Sequence, residues 1–410
     1  MKKLLVFANV WPEPSSSAAG KRMLQLLQLF SDNDFQICYA CTATKSDHAI
    51  DFEPLNVSAT QVLLNDNSVD DLIKQYIPDV VLFDRFMTEE QFGWRLDACA
   101  PNALRILNTE DLHGLRKSRQ TCFQKNIPWQ KKHLQDHEVI KREIASIFRC
   151  DLCLIISSFE MDLLTTDFQV PKENLFHFPF VAEQETNKIP FCDRNGFMTI
   201  GNFMHEPNWT AVKVLKQEVW PKIRILLPHA TMHIYGAYAS QKVMQLHNKK
   251  ERFLIHGRAK DAKTVMQQAR VCLAPLMFGA GLKGKLLESM LYGTPSVTTS
   301  IGAEGMTNDL TFWNGAVTND MDEFAKQAIE LHENETVWQQ AQQNGDRILK
   351  DSFLDTHIFT NMMQVISQYL EDVAQHRQKN FIGKMLKHHR LQSTKYMSRW
   401  ISLKNENNPK

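Results

Sequence analysis

The stretch from Val271 to Met306, VCLAPLMFGAGLKGKLLESMLYGTPSVTTSIGAEGM, constrains the chain more than any other. Its first four residues, Val271-Cys272-Leu273-Ala274, form an apolar run closed by Pro275, the pattern of a buried parallel strand. Phe278-Gly279-Ala280-Gly281 then turns the chain, and a helix is predicted from Leu282. At about 100° per residue, Leu282, Leu286, Leu287, Met290 and Leu291 share one half of that helix, and Gly284, Lys285 and Glu288 share the other. Gly293 occupies the position of a terminating glycine, and Pro295 prevents continuation. A strand, a glycine turn, a helix N-terminus and two lysines in succession imply an α/β fold with a place for an anion.

Three motifs compete for this loop. Read as GxxxxGK it nearly matches a phosphate-binding P-loop, but Leu286 stands where Ser or Thr must hold magnesium. Read as GxGxxG, with Gly279, Gly281 and Gly284, it matches a dinucleotide fingerprint, which should open the first βαβ unit of a domain. The third reading is a resemblance. The run FGAGLKGKLLESMLYGTPSVTTSIGAEGM resembles the donor-site segment of the retaining glycosyltransferases of family 4, which have the GT-B fold. Two further segments carry it: Ile200-Gly-Asn-Phe-Met-His-Glu-Pro-Asn-Trp209, and Phe253-Leu-Ile-His-Gly257 followed by Asp261.

The resemblance implies two Rossmann-like domains facing across a cleft, with C-terminal helices crossing back to the N-terminal domain. It places an acceptor domain at residues 1–190, a nucleotide-sugar donor domain at 191–365 and a basic helical tail at 366–410. Donor-side residues implied are Gly201, Asn202, His205, Gly257, Gly279, Ala280, Gly281, Lys283, Lys285 and Glu288. Glu288 falls where the family's second glutamate meets the ribose hydroxyls. The first glutamate of that E-x7-E pattern would fall at Ala280, which leaves the donor sugar unnamed. The activity implied is transfer from a nucleotide-sugar substrate to an unidentified acceptor, with retention, no obligatory metal and no cofactor. Lys283 would stabilise the leaving diphosphate.

In the N-terminal half, Lys3 to Trp11 reads as the first strand, and the loop to Gly20 lies where open α/β sheets bind ligands. Gly20 and Arg22 are candidates for acceptor contact there, as are Arg85, in the Asp84-Arg85-Phe86 run after a later strand, and Glu110. The run Asn108-Thr109-Glu110-Asp111-Leu112-His113 follows another apolar strand. Asp111 and His113 are candidates to orient the acceptor or assist its proton. The alternative is that Thr109-x-Asp111 merely caps the next helix.

A chain of 410 residues is too long for one ordinary core, and 43% hydrophobic with 23% charged residues suits a globular protein. No apolar run reaches the roughly 20 residues of a membrane span, so a cytoplasmic location is expected. The pairs Cys38/Cys41 and Cys150/Cys153 read as reduced core thiols, and no metal site is expected. Between His376 and Lys404 lie eight Lys or Arg residues and no acid. Apolar residues of this tail, Trp400 and Ile401 among them, are expected to be buried against the first domain with the lysines outside. The basic face would be solvated, or would meet an anionic membrane at its inner face or a nucleic acid. Two rival functions stay open: a nicotinamide-linked oxidoreductase with Glu304 as ribose ligand, and a non-catalytic nucleotide- or nucleic-acid-binding protein of GT-B shape.

Overall fold

The computed structural model describes residues 1–308 and 310–407, with side chains for all but 390–394 and 405–407 of these. Two parallel sheets organise it. The first comprises β1 (Lys2–Ala8), β2 (Phe35–Cys41), β3 (Val57–Gln61), β4 (Val80–Asp84), β5 (Leu104–Asn108), β6 (Leu152–Ile155) and β7 (Leu175–His177). The second comprises β8 (Phe197–Ile200), β9 (Met232–Tyr235), β10 (Phe253–Gly257), β11 (Val271–Ala274), β12 (Ser296–Thr298) and β13 (Gly315–Val317). Their orders are β3-β2-β1-β4-β5-β6-β7 and β10-β9-β8-β11-β12-β13, all pairings parallel.

The strands are near-continuous apolar runs because helices cover both faces of each sheet. Leu5, Phe7, Val81 and Phe83 pack to one side of the first sheet, while Leu4, Val6, Val80 and Leu82 pack to the other. This period-2 alternation gives each face its own core. Each sheet reverses its strand order beside its first strand, between β1 and β4 and between β8 and β11. Such a switch point opens a crevice at the carboxyl ends of the strands, so two crevices are defined by topology.

The paired cysteines are buried free thiols, Cys38 and Cys41 on β2 and Cys150 and Cys153 at β6. The C-terminal helices return to the first domain. Met362 and Ile366 of helix His357–Glu371 are fully buried with Leu26, Phe30 and Phe178. The glycine loop behaves as its residues dictate, with one shift: the helix is Gly284–Leu291 and Lys283 is its N-cap. Gly293 has φ 68°, the left-handed terminator conformation.

The final helix corrects the expectation for the tail. Phe381–Asn407 lies against helices Phe86–Cys99 and Glu138–Arg149, but through its small and polar side. Gly383 approaches the Phe148 carbonyl so closely that an added Cβ would stand 2.2 Å from it. Ser398 and Ser402 are buried, at the Arg95 guanidinium and the Asn65 carbonyl. Trp400 is 58% exposed rather than buried, and Ile401 is only half-buried. The lysines are not all outside either. Half-buried Lys387 sits near Arg105 and Arg377, and burial followed by these charges lowers its pKa to about 8. The cause is register: in this helix the small residues needed for close helix contact share a face with Lys387, leaving the large apolar residues opposite. The side chain of Arg390 lies outside those described.

Candidate active site

The loops at the carboxyl ends of the two sheets meet. From the second sheet, the loop after β11 carries Gly279, Ala280 and Gly281 into contact with the first domain, with Lys283 just after them. Gly281 has φ 61°, and a Cβ there would lie 2.7 Å from Asp111 Cβ. A Cβ on Gly284 would lie 2.6 Å from Ala18 Cβ. Both glycines are therefore required by close approach across the cleft, and Gly281 also by its backbone. Ala280 belongs to the buried apolar cluster that includes Leu112 and Leu115 of the first domain. A glutamate here would place a carboxylate in that cluster, which explains the small residue physically.

The lysines take distinct places. Lys283 is buried, with Nζ donating to the Gly281 carbonyl at 2.6 Å. Burial lowers its pKa to about 8, with Glu304 and other carboxylates opposing. Lys285 donates to Asn208 Oδ1 at 2.8 Å and is likewise pushed to about 8 by burial. Glu288 of helix Gly284–Leu291 is paired with Lys21 of helix Ala18–Asp32, so its carboxylate is held by a first-domain cation. Gly201 and Asn202 follow β8, and exposed His205 is the N-cap of helix Glu206–Val214. Gly257 ends β10 with φ 73°, beside Arg258, which reaches Ser15 and Ser16 across the cleft.

On the first domain, β4 and β5 pair in register with Asp84 opposite Asn108 at their carboxyl ends. Just beyond these ends, Arg85 and Glu110 have positive φ of 69° and 63° although neither is glycine. Strain at neighbouring strand ends turns both side chains into one cluster. Arg85 Nη1 is 2.7 Å from Asp84 Oδ2, and Asn108 donates to Glu110 Oε1 at 2.7 Å. Arg22 is fully buried beneath them, donating to Asn108 Oδ1 at 2.9 Å and to the Phe178 carbonyl at 2.5 Å. In this state it supports the cluster and offers no surface to an acceptor. Burial and the neighbouring Asp84 raise the Glu110 carboxyl to about 7. Gly20 is buried against the backbone of Glu13, which a Cβ would meet at 2.4–2.7 Å.

Asp111 and His113 stand between the cluster and the glycine loop. His113 Nε2 lies 3.3 Å from Asp111 Oδ1, and Arg116 pairs with the other oxygen. Burial opposes ionisation of Asp111, but Arg116 and His113 hold its carboxyl well below the usual range. Burial lowers His113 to about 3 against the pull of Asp111, so the imidazole is neutral at physiological pH. The capping alternative for this run is not what the structure contains. The N-cap of helix His113–Gln124 is Leu112, which has no side-chain cap, and Thr109 donates to the Leu154 carbonyl. Distant carboxylates do the capping: Glu143 accepts from His113 N and Gly114 N at 2.9 and 2.8 Å, and Glu160 accepts from Leu112 N at 3.0 Å. Glu160 also accepts from Gly281 N at 2.8 Å, joining the two domains.

Several residues of the cleft carry no motif. Arg119 forms a bidentate pair with Glu304 at 2.8 Å on both arms and donates to the Gly279 carbonyl at 2.9 Å. His113, Arg116 and Arg119 recur every third residue of one helix, a spacing that marks a shared face. Glu143, Glu160 and Lys21 have no such local signal, because their partners lie 29 or more positions away.

The buried carboxyls set a pH dependence. Burial raises Glu143 from 4.5 to about 8, although two amides favour its charged form. A carboxyl raised on folding makes the native state bind more protons, so stability is full below pH 4.5 and declines as pH rises towards 8. Glu143→Gln is expected to flatten the fall of melting temperature across that interval. An unchanged slope would show that Glu143 does not titrate there.

Residues 194–334 match the family model described as Glycosyl transferases group 1. No curated protein matches the chain in sequence. Among solved structures, sucrose-phosphate synthase from Thermosynechococcus elongatus aligns with TM-score 0.67 and 12% identity, covering 90% of this chain and 100% of that one. HepE from Anabaena, in complex with UDP and glucose, aligns with TM-score 0.65 and 12% identity over 88% and 99%. TarM from S. aureus, in complex with fondaparinux, alpha-GlcNAc-glycerol and UDP, gives 0.67 and 10% over 89% and 99%. The second domain thus matches a glycosyl transferases group 1 model, and the two-sheet architecture of the chain is the GT-B fold of these glycosyltransferase structures. The chain is a glycosyltransferase enzyme.

The oxidoreductase alternative is not favoured. Its fingerprint should follow the first strand of its sheet, whereas this loop follows β11, and Glu304 is engaged by Arg119. Among the described residues, no helix is long and apolar enough to cross a membrane.

Proposed function

We propose that the chain is a retaining glycosyltransferase of family 4 type. It moves a hexosyl or related residue from a nucleoside-diphosphate sugar, bound at the β8/β11 crevice, to a hydroxyl lying against the first domain. The observation that carries this reading is the close approach of the glycine turn, at the second switch point, to Asp111 of the first domain, with Lys283 near enough to feel that carboxylate and His113 beside it.

The chemistry follows from charge. As the bond from the anomeric carbon to the diphosphate breaks, its electron pair leaves with the phosphate oxygen. Lysines with pKa about 8 remain mostly protonated at neutral pH and stabilise that oxygen, aided by the helix N-terminus. The leaving phosphate accepts the acceptor's proton while the new bond forms on the same face, so neutral His113 and ionised Asp111 position the hydroxyl without forming a covalent intermediate. Two lysines supply the cationic charge, and the reaction proposed requires neither metal nor cofactor. Glu288, freed from Lys21, would meet the ribose. Arg85 and Glu110 would line the acceptor side.

HepE and TarM are both recorded with UDP, which makes UDP the first nucleotide to test. Calorimetric titration with UDP, GDP, ADP and NAD is expected to find one nucleoside diphosphate that binds at least about tenfold more tightly than NAD. Tighter binding of NAD would overturn the reading. Hydrolysis of the matching nucleotide-sugar by purified protein would distinguish an enzyme from a binder of GT-B shape.

A further inference from the structure

The last helix, Phe381–Asn407, presents to solvent the side that an amphipathic helix ordinarily buries. Ile382, Met385, Tyr396, Trp400 and Leu403 are all exposed, Tyr396 by 64% and Trp400 by 58%. At about 100° per residue these five fall within one narrow sector, opposite the buried Gly383, Ser398 and Ser402. Along the helix the sector carries two apolar groups, Ile382 and Met385 near its start and Tyr396, Trp400 and Leu403 near its end, with exposed His389 between them. Arg399 flanks it on one side and Lys404 on the other, both exposed, while exposed Lys384 lies further round, at the angle of Ser402. Residues 381–404 contain six Lys or Arg and no Asp or Glu.

That charge pattern selects the occupant. Two copies of this face packed together would juxtapose cations with no carboxylate among residues 381–404 to pair them. A nucleic acid would match the cations but leave aliphatic and aromatic side chains against a charged backbone. A bilayer surface with anionic headgroups satisfies both features: apolar side chains enter the acyl boundary, Trp and Tyr suit the interface, and Lys and Arg meet headgroup phosphates. We propose that the outer face of helix Phe381–Asn407 docks in the plane of a membrane surface containing anionic lipid, with Ile382, Met385, Tyr396, Trp400 and Leu403 inserted and Arg399 and Lys404 at the headgroups. The helix lies on the first domain, so docking would hold that side of the cleft at the lipid surface. This inference does not depend on the identity of the donor or acceptor.

The test is co-sedimentation of the full chain with vesicles of phosphatidylcholine, alone and mixed with phosphatidylglycerol. Binding to the mixed vesicles is expected to exceed binding to phosphatidylcholine by at least about tenfold and to weaken with added salt. Tyr396→Glu with Trp400→Glu should abolish it, and Arg399→Glu with Lys404→Glu should remove the preference for anionic lipid. Both variants should keep the parental melting temperature and nucleotide affinity, since these side chains face solvent. Absent vesicle binding by the parent, or parental binding by the Tyr396/Trp400 variant, would overturn the proposal. So would a parent dimer that the same variant dissociates, which would assign the face to a second copy. Tight binding of RNA without binding of vesicles would overturn it too.

Discussion

Lys283→Ala is expected to lower turnover by about 100-fold, the effect of removing one donor aimed at developing negative charge. The side chain is buried at the helix N-cap, two residues from Gly281, so its ammonium adds to the positive end of the helix dipole. Lys285→Ala should cost less, because Lys285 lies within the helix and is already held by Asn208. Glu288→Gln should act on binding instead, since its proposed partners are neutral ribose hydroxyls present before and after bond cleavage. Loss of a charge-assisted contact is worth about 1.5–3 kcal/mol, so nucleotide affinity should fall by roughly 10-fold or more. Steady-state kinetics and calorimetric titration of the three variants separate these effects. Parental nucleotide affinity in both Lys283→Ala and Glu288→Gln would remove the loop from the donor site.

How much of this was legible from residues depends on the range of the interactions. The glycine turn, its lysines and its terminating Gly293 are local features, and local chemistry announces them: φ > 0 needs glycine, and an anion site needs a helix start. The strands at β4, β5 and β11 were readable because a strand covered on both faces must be apolar throughout. The role of Ala280 was not, since its partner is the first domain's Leu112 and Leu115 cluster. Thr109 and Asp111 have the composition of a helix cap, yet Glu143 and Glu160 displace them by arriving from other helices. Composition marked the tail as basic with apolar residues to bury, but not which side of its helix turns inward. Small-residue contacts at Gly383, Ser398 and Ser402 decide that, and only the partner helices reveal it.

The largest stability effect is expected from Arg377, where the returning chain is fastened to the first domain. Its guanidinium donates to Asp151 Oδ1 at 2.8 Å and Oδ2 at 2.6 Å, and to the carbonyls of Pro101 and Ala103 at 2.5 and 2.7 Å. Asp151 is 3% exposed and otherwise accepts from Arg105 N at 2.8 Å. Arg377→Ala therefore leaves a buried carboxylate without its counter-ion, a change that typically costs about 3–5 kcal/mol. For a unit of this size that is a fall in melting temperature of roughly 10 °C. Truncation after Gln375 should do at least as much, because it also strips the final helix from its neighbours. The pH dependence identifies the cause. Burial opposes ionisation of Asp151, but Arg377 keeps its pKa below 3.8, so in the parent this stabilisation is present above that pH and lost on acidification through the folded value. In Arg377→Ala only the weaker pull of Lys387 and Arg105 opposes burial, the carboxyl rises, and acidification should relieve part of the defect. The gap between parent and variant should thus narrow from pH 7 towards pH 4, and Asp151→Asn should recover part of it in the Arg377→Ala background. A variant that melts with the parent at neutral pH would show that the returning helices are held by their apolar contacts at Met362 and Ile366 and not by this pair.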